Sequence, residues 1–211
     1  MNWFTSDTHF GHANIVRGTS AWTDKSRCRP FDTIEEHDDR LVETINGLVR
    51  SNDVLYHMGD WSFGGFANIR EFWERLICKN IHLILGNHDH HIERNKDGCR
   101  GLFKSVQPYK EITIGGQKII LCHYAMRVWN HSSKGSWMLY GHSHGTLDEM
   151  KPEIANPTWV GDDYFIKNYK TMDVGIDTNV FMPYSFDELE LIMQKRTVEL
   201  EVDHHNKQTN N

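Results

Sequence analysis

Three short strand-like runs, Trp3–Ser6, Asp53–His57 and Ile81–Leu85, alternate with two stretches of helical periodicity, and that alternation constrains the fold more than any other feature of the chain. In the first helical stretch Ile34, Leu41, Val42, Ile45 and Leu48 recur at helical intervals, behind an Asp32/Glu35 pair at capping-box spacing. In the second, Phe66 to Cys78, the residues Ile69, Phe72, Trp73, Leu76 and Ile77 are expected to face a core. A β-α-β-α-β order requires crossover helices, which implies a largely parallel sheet whose strand exits share one edge.

After residue 108 the rhythm changes. Tyr109–Ile114 and Gln117–Cys122 flank Gly115-Gly116, a two-residue hairpin signal, so antiparallel pairing enters. Met138–Tyr140 and Thr171–Ile176 read as further strands. Ser185 with Glu188 caps a final helix carrying Leu189, Leu191 and Ile192. Residues 18–32 read as a polar surface excursion and residues 199–202 as a candidate last strand. At 211 residues one core suffices, so a single domain over 1–202 with a flexible polar tail over 203–211, including His204 and His205, is expected.

Composition removes several classes. No apolar run is long enough to cross a bilayer, so no membrane partner is expected. The opening Met1–Thr5 lacks a basic patch followed by an apolar segment, which points to a cytoplasmic protein. Cys28, Cys78, Cys99 and Cys122 lie far apart and suit reduced thiols. With a net charge of -6, nucleic acid is not an expected partner, because proteins that track its backbone carry a basic excess.

The chemistry sits where the strands stop. Asp7 and His9, Asp60, Asn87 and His88, His123, and His142 and His144 each follow an apolar run, and residues two apart in extended chain aim the same way. Imidazoles, carboxylates and one amide oxygen suit Mn, Fe, Zn, Co or Ni, and the absence of a cysteine cluster argues against structural zinc. Seven such donors exceed the needs of one ion. They suit two divalent ions with one bridging carboxylate, for which Asp60 is the natural choice.

The series Asp7-x-His9, Gly59-Asp60, Gly86-Asn87-His88-Asp89, His123, Gly141-His142-x-His144 resembles the calcineurin-like metallophosphoesterases from Trp3 to about Ile192. The resemblance implies an α/β, two-sheet sandwich flanked by helices in four αββα layers. It also implies hydrolysis of a small phosphodiester or phosphomonoester by a metal-bridging hydroxide, with manganese the first expectation. Asp7, His9, Asp60 and His144 would hold one ion, and Asp60, Asn87, His123 and His142 the other. His88 would lie near the scissile phosphate, to stabilise the transition state or protonate the leaving oxygen, with Asp89 fixing its tautomer. Protein Ser/Thr phosphatases continue the Gly-Asp motif with Asp-Arg and write Gly-Asn-His-Glu, whereas here Trp61 and Ser62 follow and residue 89 is aspartate. The chain therefore looks more like the small single-domain bacterial and phage members, and it lacks their relatives' arginine clamp.

Around this centre, His12, Asn14, Arg17 and Arg127 are the expected substrate contacts, with Arg17 the candidate replacement clamp and Trp129 a candidate base-stacking ring. Two rival readings remain: a metal-bound interaction module without turnover, and a metal-dependent nuclease. His57 is expected to lie in its strand, satisfied by hydrogen bonds.

Overall fold

The computed structural model describes residues 1–147 and 170–196. The candidate strand over 199–202, the tail over 203–211 and the end of the expected domain lie outside them.

Strands β1 (Asn2–Thr5), β2 (Val54–His57) and β3 (Ile81–Ile84) pair in parallel, as the alternation requires, and β4 (Ser105–Gln107) extends the sheet beyond β3. Strand β9 (Tyr184–Ser185) adds antiparallel to β1, giving the order β4-β3-β2-β1-β9. The second sheet has the order β5-β6-β7-β8. Its β5 (Tyr109–Ile114) and β6 (Gln117–Cys122) form the hairpin about Gly115-Gly116, and β7 (Trp137–Tyr140) and β8 (Thr171–Asp173) add in parallel.

Period-two alternation sorts side chains into layers. Phe4, Tyr56 and Ile84 from the first sheet meet Ile119, Leu121, Leu139 and Met172 from the second in one buried cluster. Their neighbours in sequence, Trp3, Leu55, Ile81 and Leu83, face the other way. That outer face takes Val42 and Ile45 of α1 (Ile34–Leu48) and Ile69 and Phe72 of α2 (Phe66–Arg75). Each such side chain contributes about 1.5–3 kcal/mol when fully buried. Helix α4 (Phe186–Gln194) sends Leu189 and Met193 into the inter-sheet cluster. Among the described residues, the outer face of the second sheet, Ile120, Cys122, Met138 and Tyr140, is covered by Trp129. The architecture is thus a two-sheet α/β sandwich flanked by helices. No helix among the described residues is long and apolar enough to cross a membrane.

Several local expectations shift. Helix α1 is capped by Thr33 with Glu36, one residue later than Asp32 with Glu35, because Thr33 is the residue with extended backbone beside the first turn. Helix α2 stops at Arg75 and leaves Ile77 exposed. The strand expected over 171–176 ends at Asp173, and Ile176–Asn179 coils into a 3-10 turn. A four-residue helix α3 (His90–Glu93) and a 3-10 segment precede β4, none of which the pattern announced. The 18–32 excursion is not all surface, since Cys28 and Arg29 are buried. All four cysteines are free and buried.

Candidate metal centre

The carboxyl ends of β1, β2, β3, β6 and β7 meet at one edge of the sandwich. The exit loops of β1 and β2 run side by side, with Asp7 N donating to Gly59 O at 3.0 Å and His9 N to Asp60 O at 3.0 Å. The second sheet is stitched to the first there: His123 Nδ1 bonds Met58 O at 2.7 Å, and Ile176 N donates to Ser6 O at 2.9 Å.

Of the five loops that meet there, those after β1, β2 and β7 are strained. Asp7, His9, Asp60, His142 and His144 all adopt positive φ, which L-residues avoid, and they make up half of the ten such non-glycine residues among those described. Strain of roughly 1–3 kcal/mol per residue persists only where surrounding bonds hold it. Close approach also needs glycine. A Cβ on Gly141 would collide with Ser6 Oγ and Asp7 Oδ2, and one on Gly86 with Asp60 Oδ1.

The seven expected donors come together in two groups. His9 Nε2 lies 3.2 Å from His144 Nε2 and 3.6 Å from Asp60 Oδ2, while His144 Nε2 is 4.0 Å from Asp7 Oδ1. On the other side His123 Nε2 lies 3.6 Å from the same Asp60 Oδ2 and 3.0 Å from Asn87 Oδ1, which is 3.0 Å from His142 Nδ1. Donors sharing an ion at bond lengths of about 2.0–2.2 Å sit roughly 3.0–3.6 Å apart, a range that holds all of these spacings except His144 to Asp7, at 4.0 Å. His88 lies within the same reach of His9 and Asp60.

Electrostatics fit as well. Burial pushes the Asp7 carboxyl up to about 7, and burial with Arg29 pulls His9 well below the usual histidine range. A cation among them would favour the ionised carboxylate and needs the neutral ring. His9 Nδ1 is buried without a hydrogen bond. The histidine tautomers are set from behind: His123 Nδ1 on Met58 O and His144 Nδ1 on Asp177 Oδ2, at 2.7 Å, leave each Nε2 as the donor atom.

The residues expected as substrate contacts lie at different places, His12 beside the centre with its ring centroid 5.4 Å from that of His9 and 6.0 Å from that of His88. His12 is buried, stacks on Phe63 at 4.0 Å, and is drawn down to about 4 by burial and then by His88. The Asn14 amide is occupied by Ala21 N at 3.1 Å, so it braces its own loop. Arg17 and Arg127 are exposed, and neither lines the cavity beside the centre, whereas Arg27 does. Trp129 is buried, with Nε1 on Ser136 O and Oγ, which makes it an anchor rather than a stacking platform. Asp89 is also corrected. Its Oδ2 accepts from Gly86 N at 2.8 Å and Asp60 N at 2.9 Å, and its Oδ1 from Trp61 N at 3.0 Å, so it clamps two exit loops and leaves the His88 ring alone. Burial pushes this carboxyl up to about 7 against those amides. His57, as expected, is buried in its strand and bonded to Thr8 Oγ1 at 2.9 Å.

A network behind the centre was not anticipated. Arg29, 4% exposed, forks onto Asp177 at 2.9 and 2.7 Å and donates to Thr8 O and Asp7 O. Asp177 in turn holds His144, and although burial would raise the Asp177 carboxyl, the charges and hydrogen bonds of Arg29 and His144 together outweigh it and keep it far below the carboxylate range. Beyond Arg29, His37 and Asp38 carry the chain of bonds back to Gly11 N. Asp173 accepts from Ser143 Oγ, Gly145 N and Gly175 N and shapes the His142–His144 loop. A signal existed for the carboxylates, since Asp173 and Asp177 lie at and just past a strand end like the other site residues. Arg29 had none, being one arginine in an aperiodic polar stretch.

The family model for calcineurin-like phosphoesterase matches residues 3–168. An uncharacterized protein of Methanocaldococcus jannaschii, MJ1445, is 29% identical over 196 residues, covering 92% of this chain and 91% of its own. The gene 66 protein of Mycobacterium phage D29 is 26% identical over 178 residues, 74% of this chain and 83% of its own. Among solved structures, a protein of unknown function from Aquifex aeolicus, AQ665, shares the fold with a TM-score of 0.60 and 21% identity, over 91% of this chain and 98% of its own.

Proposed function

The chain belongs to the calcineurin-like phosphoesterase family, and from that premise we propose that it hydrolyses a small phosphodiester or phosphomonoester at a two-cation centre. The observation that carries the reading is Asp60 Oδ2, which stands 3.6 Å from His9 Nε2 and 3.6 Å from His123 Nε2 and so is the oxygen common to both donor groups.

Asp7, His9, Asp60 and His144 would hold one ion and Asp60, Asn87, His123 and His142 the other, with manganese the first choice for this oxygen and imidazole set. Such ions, when bound, neutralise phosphate oxygens and lower the pKa of a water that attacks phosphorus.

The chain's own residues supply the rest. Asp89 holds the Asp60 and Gly86 loops in register, and His88 N donates to Asp60 Oδ1 at 2.9 Å, fixing which carboxylate oxygen is left for both groups. The His88 ring packs edge-on to His9 with centroids 5.2 Å apart and forms no hydrogen bond among the described residues. It is therefore the group available to give a proton to the leaving oxygen, help that contributes about a hundred- to ten-thousand-fold. Arg29 and Asp177 keep the His144 lone pair aimed inward.

The test is a screen of manganese-, iron- and zinc-reconstituted protein against phosphomonoesters, linear and cyclic phosphodiesters, and nucleic acid. The reading predicts metal-dependent release from a small ester and little from nucleic acid. Binding without turnover of any ester would favour an interaction module, and preference for nucleic acid a nuclease.

A further inference from the structure

Beside the centre lies a cavity of about 740 Å³, lined both by the donor residues His142 and His144 and by Ile15, Trp22 and Arg27 of the loop that follows β1. That volume is in the range that holds ligands of a few hundred daltons. Trp22 is 48% exposed, and a single exposed indole is ordinary. What sets this one apart is that it borders a cavity and is held in place.

Its loop is pinned by Arg17 N to Arg29 O at 2.9 Å, Arg29 N to Ile15 O at 2.7 Å, Ala21 N to Asn14 Oδ1 at 3.1 Å and Trp22 N to Ser20 Oγ at 3.1 Å. The indole and His12 rings stand perpendicular, with centroids 6.2 Å apart and planes at 88°. About half of Trp22 stays open to solvent beside that contact. Arg27 is exposed and borders the same space, so an anionic ligand finds a cation there besides the centre itself.

We infer that Trp22 and Arg27 form a subsite for a planar ring on the substrate, so that the ester cleaved here is nucleotide-sized and carries a nucleobase or another aryl group. This rests on the phosphoesterase reading and adds the substrate class. Stacking on an indole is tolerant of ring identity, and Arg27 reads charge without reading a base, so the subsite selects flat phosphoesters as a class.

The experiment titrates slowly hydrolysed phosphorothioates of adenosine, p-nitrophenol and glycerol into manganese-loaded protein, followed by calorimetry and tryptophan fluorescence. Ring-bearing analogues should bind roughly 10-fold more tightly than the glycerol compound. Trp22→Ala should erase that margin while leaving glycerol analogue affinity in place, and Trp22→Phe should keep most of it. A margin for adenosine alone identifies a nucleobase, and one shared by p-nitrophenol any aryl group. Equal affinities in the unsubstituted protein, or a margin that survives in a folded Trp22→Ala variant, overturns the subsite. Because binding is read without turnover, ring selectivity in a protein that hydrolyses no ester would count against the proposed hydrolysis and not against the subsite.

Discussion

At the scale of single residues, His88 and Asp177 separate chemistry from support. His88 sits beside both donor groups with its ring unbonded, so His88→Ala should lower turnover about a hundred- to ten-thousand-fold while metal content, read by elemental analysis, stays unchanged. Loss of metal on that substitution would make the ring a ligand instead, a role its reach to His9 and Asp60 also permits. Asp177 never enters the donor groups, yet it joins Arg29 to His144 Nδ1. Asp177→Asn should therefore weaken metal binding about 10- to 100-fold in a calorimetric titration with the fold intact. A variant with undiminished affinity would reduce the Arg29–Asp177 pair to a structural bond.

At the scale of elements, the loops leaving the strands carry the argument, and Asp89 is the piece that joins two of them. Asparagine there offers one oxygen to three backbone donors and turns an amide NH₂ toward at least one of them. Asp89→Asn should lower the stability to urea by roughly 1–3 kcal/mol and disturb metal binding, whereas a His88-orienting role would leave stability untouched. The strands and their tips were legible because each apolar run ends on a donor residue, as with Ile81–Ile84 running to Asn87. The helix faces were legible from their period. What the sequence hid were contacts with no period: Arg29 reaching Asp177 across 148 positions, Trp129 turning inward onto the second sheet, and Asp89 spending its oxygens on backbone. Capping was legible only to within one residue, since Asp32/Glu35 and Thr33/Glu36 both satisfy the spacing.

At the scale of the whole molecule, two sheets converge so that one edge collects donors from both, and a small polar network ties the outer strand β5 to β6 and to the loop before β7. Tyr109 OH, then Asn130 Nδ2 and Lys118 Nζ, hold the Glu111 carboxyl down to about 2 from an ordinary 4.5. A depressed carboxylate stabilises the fold fully above 4.5, and that support is lost as pH falls toward 2. The stability difference between the parent protein and Glu111→Gln should therefore be largest near neutrality, at about 1 kcal/mol or less for so exposed a group, and vanish toward pH 2. A constant difference across that window would show that ionisation of Glu111 contributes nothing. The centre itself rests on one oxygen, Asp60 Oδ2, placed between His9 and His123. The most direct test is the metal stoichiometry of purified protein and of Asp60→Asn, measured together with ester hydrolysis: the account predicts about two divalent ions per chain in the parent protein and loss of both ions and of turnover in the variant. A single ion in the parent protein, or a variant that keeps full occupancy and rate, would contradict it.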